Sequence, residues 1–110
     1  MSWSPVPEVS VAALPADAVL LDVRDDDEWI AGHAPDAVHI PMPDLADRLD
    51  DIPDADELYV ICRTGGRSAR VAEYLNANGW DAVNVDGGMM LWQRLGRPMV
   101  SESGELPDVL

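Results

Sequence analysis

The apolar positions of this chain fall in short runs separated by charged or glycine-rich stretches. "VLLDV" (19–23) and "LYVIC" (58–62) are continuous apolar runs of strand length. Such runs predict strands buried on both faces, as in a parallel sheet. "AVHIP" (37–41) predicts a short strand halted by Pro41, "DAVNVDGG" (81–88) a strand ending in a glycine turn, and "EVSV" near the start an edge strand. Between these runs the period changes. "RDDDEWIAGH" puts acids where a helix begins and Gly32 where it ends. "PDLADRLDDI" (43–52) spaces Leu45, Leu49 and Ile52 along one helical face. "RSARVAEYLNANG" (67–79) predicts a helix with Val71, Tyr74 and Leu75 inward and its stop at Gly79, and "MMLWQRLG" (89–96) a short one. "PDADE" (53–57) reads as an acidic turn, and the tail "RPMVSESGELPDVL" has no period and is expected to fray.

Strands and helices therefore alternate. That order predicts an α/β fold with a mainly parallel sheet of about five short strands, helices on both faces, and one domain over the 110 residues. Ligands of such sheets sit at the carboxyl ends of the strands. Three features fall there: Asp22 with Arg24, Cys62, and Asp86 with Gly87 and Gly88.

Charge narrows the function. Twenty-one acids face seven basic residues, all arginine, for a net charge of -14. This field repels nucleic acid and anionic membranes. It reads as a solvated acidic surface, and the absence of lysine raises adaptation to a salty cytoplasm as a sharper alternative. No apolar run approaches the roughly 20 residues of a membrane span. The start "MSWSPVPEVS" lacks the basic and apolar regions of a secretion signal, and a single cysteine has no internal disulfide partner, so a cytoplasmic location is expected. His33 and His39 make no ligand spacing with one cysteine, and "DDIPDADE" (50–57) lacks the alternation of a calcium loop. No metal is expected from these residues. His33 is assigned a structural hydrogen bond. Arg24 and Glu28, four apart, are expected to pair. Asp22 and Arg24 either support the Cys62 loop from behind or form a strand-capping salt bridge. Trp3, Trp29, Trp80 and Trp92 are assigned to core or rim, with Trp92 a candidate wall of the active pocket.

The chemistry concentrates in "CRTGGRS". Three of the seven arginines (Arg63, Arg67, Arg70) lie within eight positions behind the only cysteine. Gly65 and Gly66 can adopt backbone angles closed to other residues, so that successive N–H groups point into one anion-binding nest. The helix starting nearby adds its positive end, and Arg63 and Arg67 add charge. All favour a thiolate. A free thiol is a few per cent ionised at pH 7; a pKa near 6 would leave roughly nine tenths ionised. The competing reading is a buried structural cysteine beside a helix start.

The loop resembles the active-site loop of rhodanese-type sulfurtransferases. "LLDVRDDDEWIAGHAPDAVHIP" (20–41) is similar to that family's N-terminal signature, and "VDGGMMLWQRLGRPM" (85–99) to its C-terminal one. The resemblance covers about residues 6–99 and leaves 100–110 as a tail. It departs from the family at Ala34 (usually a bulky aliphatic), Asp36 (usually glycine) and Leu91 (usually small). The resemblance implies a three-layer rhodanese-like fold and sulfur transfer from thiosulfate or a similar donor to cyanide or a thiol. Cys62 would be the persulfide-forming nucleophile, and the resemblance implies no organic cofactor. The N–H groups of Arg63, Thr64, Gly65, Gly66 and Arg67 would cradle the outer sulfur, with Arg63 and Arg67 orienting the anionic donor. Phosphatases of the same fold resemble this loop but carry one more residue, so phosphatase or arsenate reductase activity is the rival reading within the fold. A sulfur relay between partner proteins is the rival of another class, and the acidic surface suits a basic partner.

Overall fold

Both continuous apolar runs become neighbouring strands inside a five-stranded sheet. The computed structural model describes residues 6–110; Trp3 lies outside them. The strands are β1 (Glu8–Ser10), β2 (Val19–Asp22), β3 (Val38–His39), β4 (Leu58–Ile61) and β5 (Ala82–Asp86). Their order is β1-β5-β4-β2-β3, and every pairing is parallel. The helices are α1 (Asp26–Ala31), α2 (Gly66–Ala77) and α3 (Gly88–Arg94).

Alternation along the strands builds two cores. Leu58, Val60 and Cys62 point to one face, where Val71, Ala72 and Leu75 of α2 cover them with Leu45. Tyr59 and Ile61 point to the other, beneath Val11, Leu14 and α3's Met89 and Trp92. Burial on both faces is why these strands read as unbroken apolar runs. None of the described helices is long and apolar enough to cross a membrane.

Four expectations change. Residues 43–52 do not form one α-helix but two 3₁₀ turns, Met42–Asp47 and Leu49–Asp51. Proline and four aspartates make this a poor helix, and Arg48 breaks it at φ -127°, ψ 28°. Leu45 is still buried, with Leu49 and Ile52 packed against the same core. In α2 the buried face is Ser68, Val71, Ala72 and Leu75, and Tyr74 is 40% exposed at its edge. The tail does not fray. His33 and Val100 exchange backbone hydrogen bonds, and Glu102 and Asp108 donate from their N–H groups to the carbonyls of Ile30 and Ala31. Trp92 does not wall the pocket at Cys62. It is buried under the opposite face, where it lines a cavity with Leu14, Val19 and Pro35 near the amino ends of the strands. Its indole Nε1–H donates to the Pro98 carbonyl.

One departure from the family pattern has a backbone meaning. Asp36 holds φ 66°, the left-handed region that glycine enters freely and that aspartate tolerates better than most.

Candidate functional site

Cys62 follows the last residue of β4 and is 1% exposed. Its sulfur meets the start of α2. The Gly65 N–H donates to Sγ at 3.1 Å, and Ser68 Oγ lies 3.2 Å from it. Burial pushes the Cys62 thiol up. The Ser68 hydroxyl and the backbone N–H groups of Ser68, Gly65 and Thr64 pull it down, and the balance leaves it below the ordinary thiol value. The twelve-residue α2 adds the positive end of its dipole at the same place.

Of the two loop glycines only Gly65 uses its freedom. It holds φ 120°, whereas Gly66 is the first residue of α2 and a Cβ there would meet no atom within 4 Å. Gly65→Ala should therefore cost about 1–3 kcal/mol, and Gly66→Ala should be neutral or up to about 1 kcal/mol stabilising. Urea denaturation of the two variants checks this; equal losses would contradict it.

The "VDGG" turn supports the loop from below. Met89 and Met90 donate their N–H groups to the carbonyls of Cys62 and Arg63 at 2.9 and 3.0 Å. A Cβ on Gly88 would lie 2.5 Å from both carbonyl oxygens.

The two loop arginines differ. Arg67 is not a free cation: it makes a bidentate pair with Glu28 of α1, at 2.7 and 3.0 Å. This hydrogen bond pushes Arg67 further up and holds the Glu28 carboxyl below its ordinary range against the opposing effect of burial. Arg63 donates from Nε to the Leu110 carbonyl at 2.6 Å, so the tail reaches the loop. Thr64 is exposed. The expected Arg24–Glu28 pair does not form. Arg24 precedes α1, so helical spacing does not apply to it; it is fully buried and binds Asp22 and the Gly32 carbonyl, each at 2.8 Å. Asp22 and Arg24 thus form a buried strand-capping salt bridge. His33 makes the structural bond expected, with Nδ1 donating to the Ala34 carbonyl at 2.9 Å.

The Glu28 pairing has a pH signature. A carboxyl held lower in the folded state adds stability above its unfolded value of about 4.5, and that stability is lost as pH falls through the folded value. The stability gap between wild type and Glu28→Gln should therefore be widest near neutrality and shrink below about pH 4. Urea melts across that range test it, and a gap independent of pH would refute it.

Two residues of the site, Ser68 and Asn84, have no role in the sequence reading, and Glu28 has a different partner there, Arg24 in place of Arg67. Asn84 carried a signal, as a polar residue inside the buried run "AVNV".

The chain matches the family described as Rhodanese-like domain over residues 9–95. It is 42% identical over 100 residues to YtwF of Bacillus subtilis (strain 168), whose name marks it as a candidate sulfurtransferase; the match covers 84% of this chain and 96% of that protein. It is 38% identical over 88 residues to the thiosulfate sulfurtransferase GlpE of Pseudomonas syringae pv. syringae, covering 79% and 83%. Among solved structures, the rhodanese-related protein of Thermoplasma volcanium superposes with a TM-score of 0.79 at 31% identity, covering 86% of this chain and 97% of that one. The match over most of the chain, the parallel sheet and the cysteine loop at its carboxyl edge agree: this chain belongs to the family of rhodanese-like domains, whose relatives here are named as sulfurtransferases.

Proposed function

We propose that this protein moves sulfane sulfur from thiosulfate or a similar donor to a thiol or cyanide through a persulfide on Cys62. The observation that carries the reading is a buried sulfur at a helix start, accepting the Gly65 N–H at 3.1 Å. The Cys62 thiolate attacks the outer sulfur of thiosulfate. The Sγ–S bond forms as the donor's S–S bond breaks, and sulfite leaves with the electron pair. The outer persulfide sulfur now carries the negative charge, cradled by the N–H groups of the 63–67 loop. Cyanide or a thiolate takes that sulfur, and Cys62 returns as thiolate. Arg63 orients the anionic donor, while Arg67 acts mainly by fixing the loop through Glu28. No step needs a metal or an organic cofactor. A lone nucleophilic thiol fits a reducing cytoplasm.

Intact mass after brief incubation with thiosulfate tests this. A gain of about one sulfur (~32 Da), lost on adding cyanide, is expected of covalent transfer. No gain would overturn thiosulfate as donor and favour delivery by a persulfidated protein. That second reading draws support from the pairing of Arg67, which leaves the loop one free cation fewer, on a chain of net charge -14. It also draws support from a similar segment in the NAD-dependent persulfide reductase of A. fulgidus (34% identity, TM-score 0.66), which covers 79% of this chain and 16% of that one.

The acidic field repels thiosulfate at long range, while the loop attracts it at contact. Salt screens beyond about 8 Å at physiological strength. Adding moderate salt should therefore raise kcat/KM for thiosulfate. A value falling steadily from the lowest salt would contradict this.

A further inference from the structure

A buried polar chain runs from the candidate nucleophile into β5. Ser68 Oγ lies 3.2 Å from Cys62 Sγ and donates to Asn84 Oδ1 at 2.5 Å. Asn84 Nδ2 donates to Glu8 Oε2 at 2.9 Å and to the Gly65 carbonyl at 3.2 Å. Ser68 and Asn84 are 0% and 1% exposed, so water does not substitute for a lost partner.

The orientation of Asn84 is forced. Its nitrogen faces two groups that only accept, a carboxylate and a carbonyl, and a flipped amide would set its oxygen against both. Asn84 Oδ1 must therefore face Ser68, and it can only accept. Ser68 has one proton and two claimants, the amide oxygen and the sulfur. With the proton on the Asn84 side, Ser68 offers Cys62 a lone pair, which suits a thiol S–H. With Cys62 as thiolate, the proton turns to the sulfur and leaves Asn84 Oδ1 buried without a donor, a costly state.

We propose that Asn84 is a positioning residue which, through the single proton of Ser68, keeps the Cys62 thiolate less stable than the loop alone would make it. The role rests on the persulfide reading for its consequence. In the thiolate the charge sits on Sγ, where it competes with Asn84 for the Ser68 proton. In the persulfide the charge sits on the outer sulfur, and the proton returns to Asn84. Asn84 thus keeps the nucleophile basic and tilts the loading equilibrium toward the persulfide. The charged groups around this chain are Glu8 of β1, Asp22 and Arg24 at the end of β2, the Glu28–Arg67 pair, Arg63, and Asp86 beside Gly65. They are common to all the variants below.

The test is a four-protein cycle of wild type, Asn84→Ala, Ser68→Ala and the double variant, with thiolate followed by the pH dependence of iodoacetamide alkylation. Freed of its competitor, Ser68 donates to the sulfur in Asn84→Ala, and the midpoint should fall by about 0.5–1 pH unit, a three- to ten-fold change. In the Ser68→Ala background the same substitution should shift nothing. An unmoved or raised midpoint in Asn84→Ala would overturn the proposal, as would a shift that persists without Ser68, because a merely structural effect of Asn84 would persist. Should Asn84→Ala fail to fold, Asn84→Val, with a side chain suited to β5, decides by the same criteria. At a pH above both midpoints, the ratio of persulfide to free thiolate at a fixed thiosulfate-to-sulfite ratio should fall in Asn84→Ala by the same factor. The alkylation arm needs no sulfur transfer. A shifted midpoint with no persulfide in any protein would refute the functional reading alone, and a persulfide in wild type with an unmoved midpoint would refute the role of Asn84 alone.

Discussion

Replacing Cys62 by serine should lower thiosulfate turnover by at least about 10³-fold while the protein stays folded. Cys62 is the only cysteine in the chain, so no neighbouring thiol can take its place. A serine hydroxyl at this position keeps the two local contacts, since its oxygen can accept the Gly65 N–H and face Ser68 as the sulfur does. Stability should then change by no more than about 2 kcal/mol, the range of a small buried substitution that remains hydrogen-bonded. What is lost is chemical. An alcohol is not appreciably ionised at pH 7, and alkoxide attack on sulfane sulfur would give no persulfide. Steady-state kcat/KM with thiosulfate and cyanide, read beside a thermal melt, checks both halves. Turnover above about one per cent of wild type would place the sulfur-accepting atom elsewhere. A collapsed melt would mean that the thiol's packing under α2 matters more than its chemistry.

What was legible in the sequence was what lies close along the chain. The β4 run, Cys62 and the glycines that follow it are contiguous, so the strand, the thiol and the glycine turn beside it could be read together. The apolar runs at 19–23 and 58–62 gave the sheet because burial on both faces leaves no other pattern. The misassigned stretch at 43–52 shows the limit of spacing: leucines set to face the core do so equally from 3₁₀ turns, and the aspartates and proline decided against the α-helix. Charges were the least legible. Arg67 and Glu28 are 39 residues apart and meet only because α1 and α2 both begin at the carboxyl edge of the sheet. Sequence spacing offered Arg24 instead, which the fold buries against Asp22. The tail hid for another reason. It is held largely by backbone bonds to the end of α1, and such anchoring leaves no side-chain period to read.

Gly88→Ala should destabilise the fold by about 3 kcal/mol or more. Two penalties add at this position. Its φ of 56° lies in the left-handed region, which costs a non-glycine residue roughly 1 kcal/mol. The added Cβ would also stand 2.5 Å from the carbonyl oxygens of Cys62 and Arg63, and 2.6 Å from the Arg63 carbonyl carbon. These are backbone atoms, and neither oxygen can move without loss, because each accepts an N–H from α3, Met89 at 2.9 Å and Met90 at 3.0 Å. Relief would have to separate α3 from the Cys62 loop, giving up both bonds and shifting the backbone at Cys62. Gly96 supplies the control: it has φ 71°, yet a Cβ there meets nothing within 4 Å, so Gly96→Ala should lose only the roughly 1 kcal/mol of conformational cost. Urea denaturation of the pair separates strain from contact. A difference of about 2 kcal/mol with slower Cys62 alkylation in Gly88→Ala would tie the glycine turn to the loop's geometry. Equal losses would mean that α3 can retreat freely, and that the turn does not set where the sulfur sits.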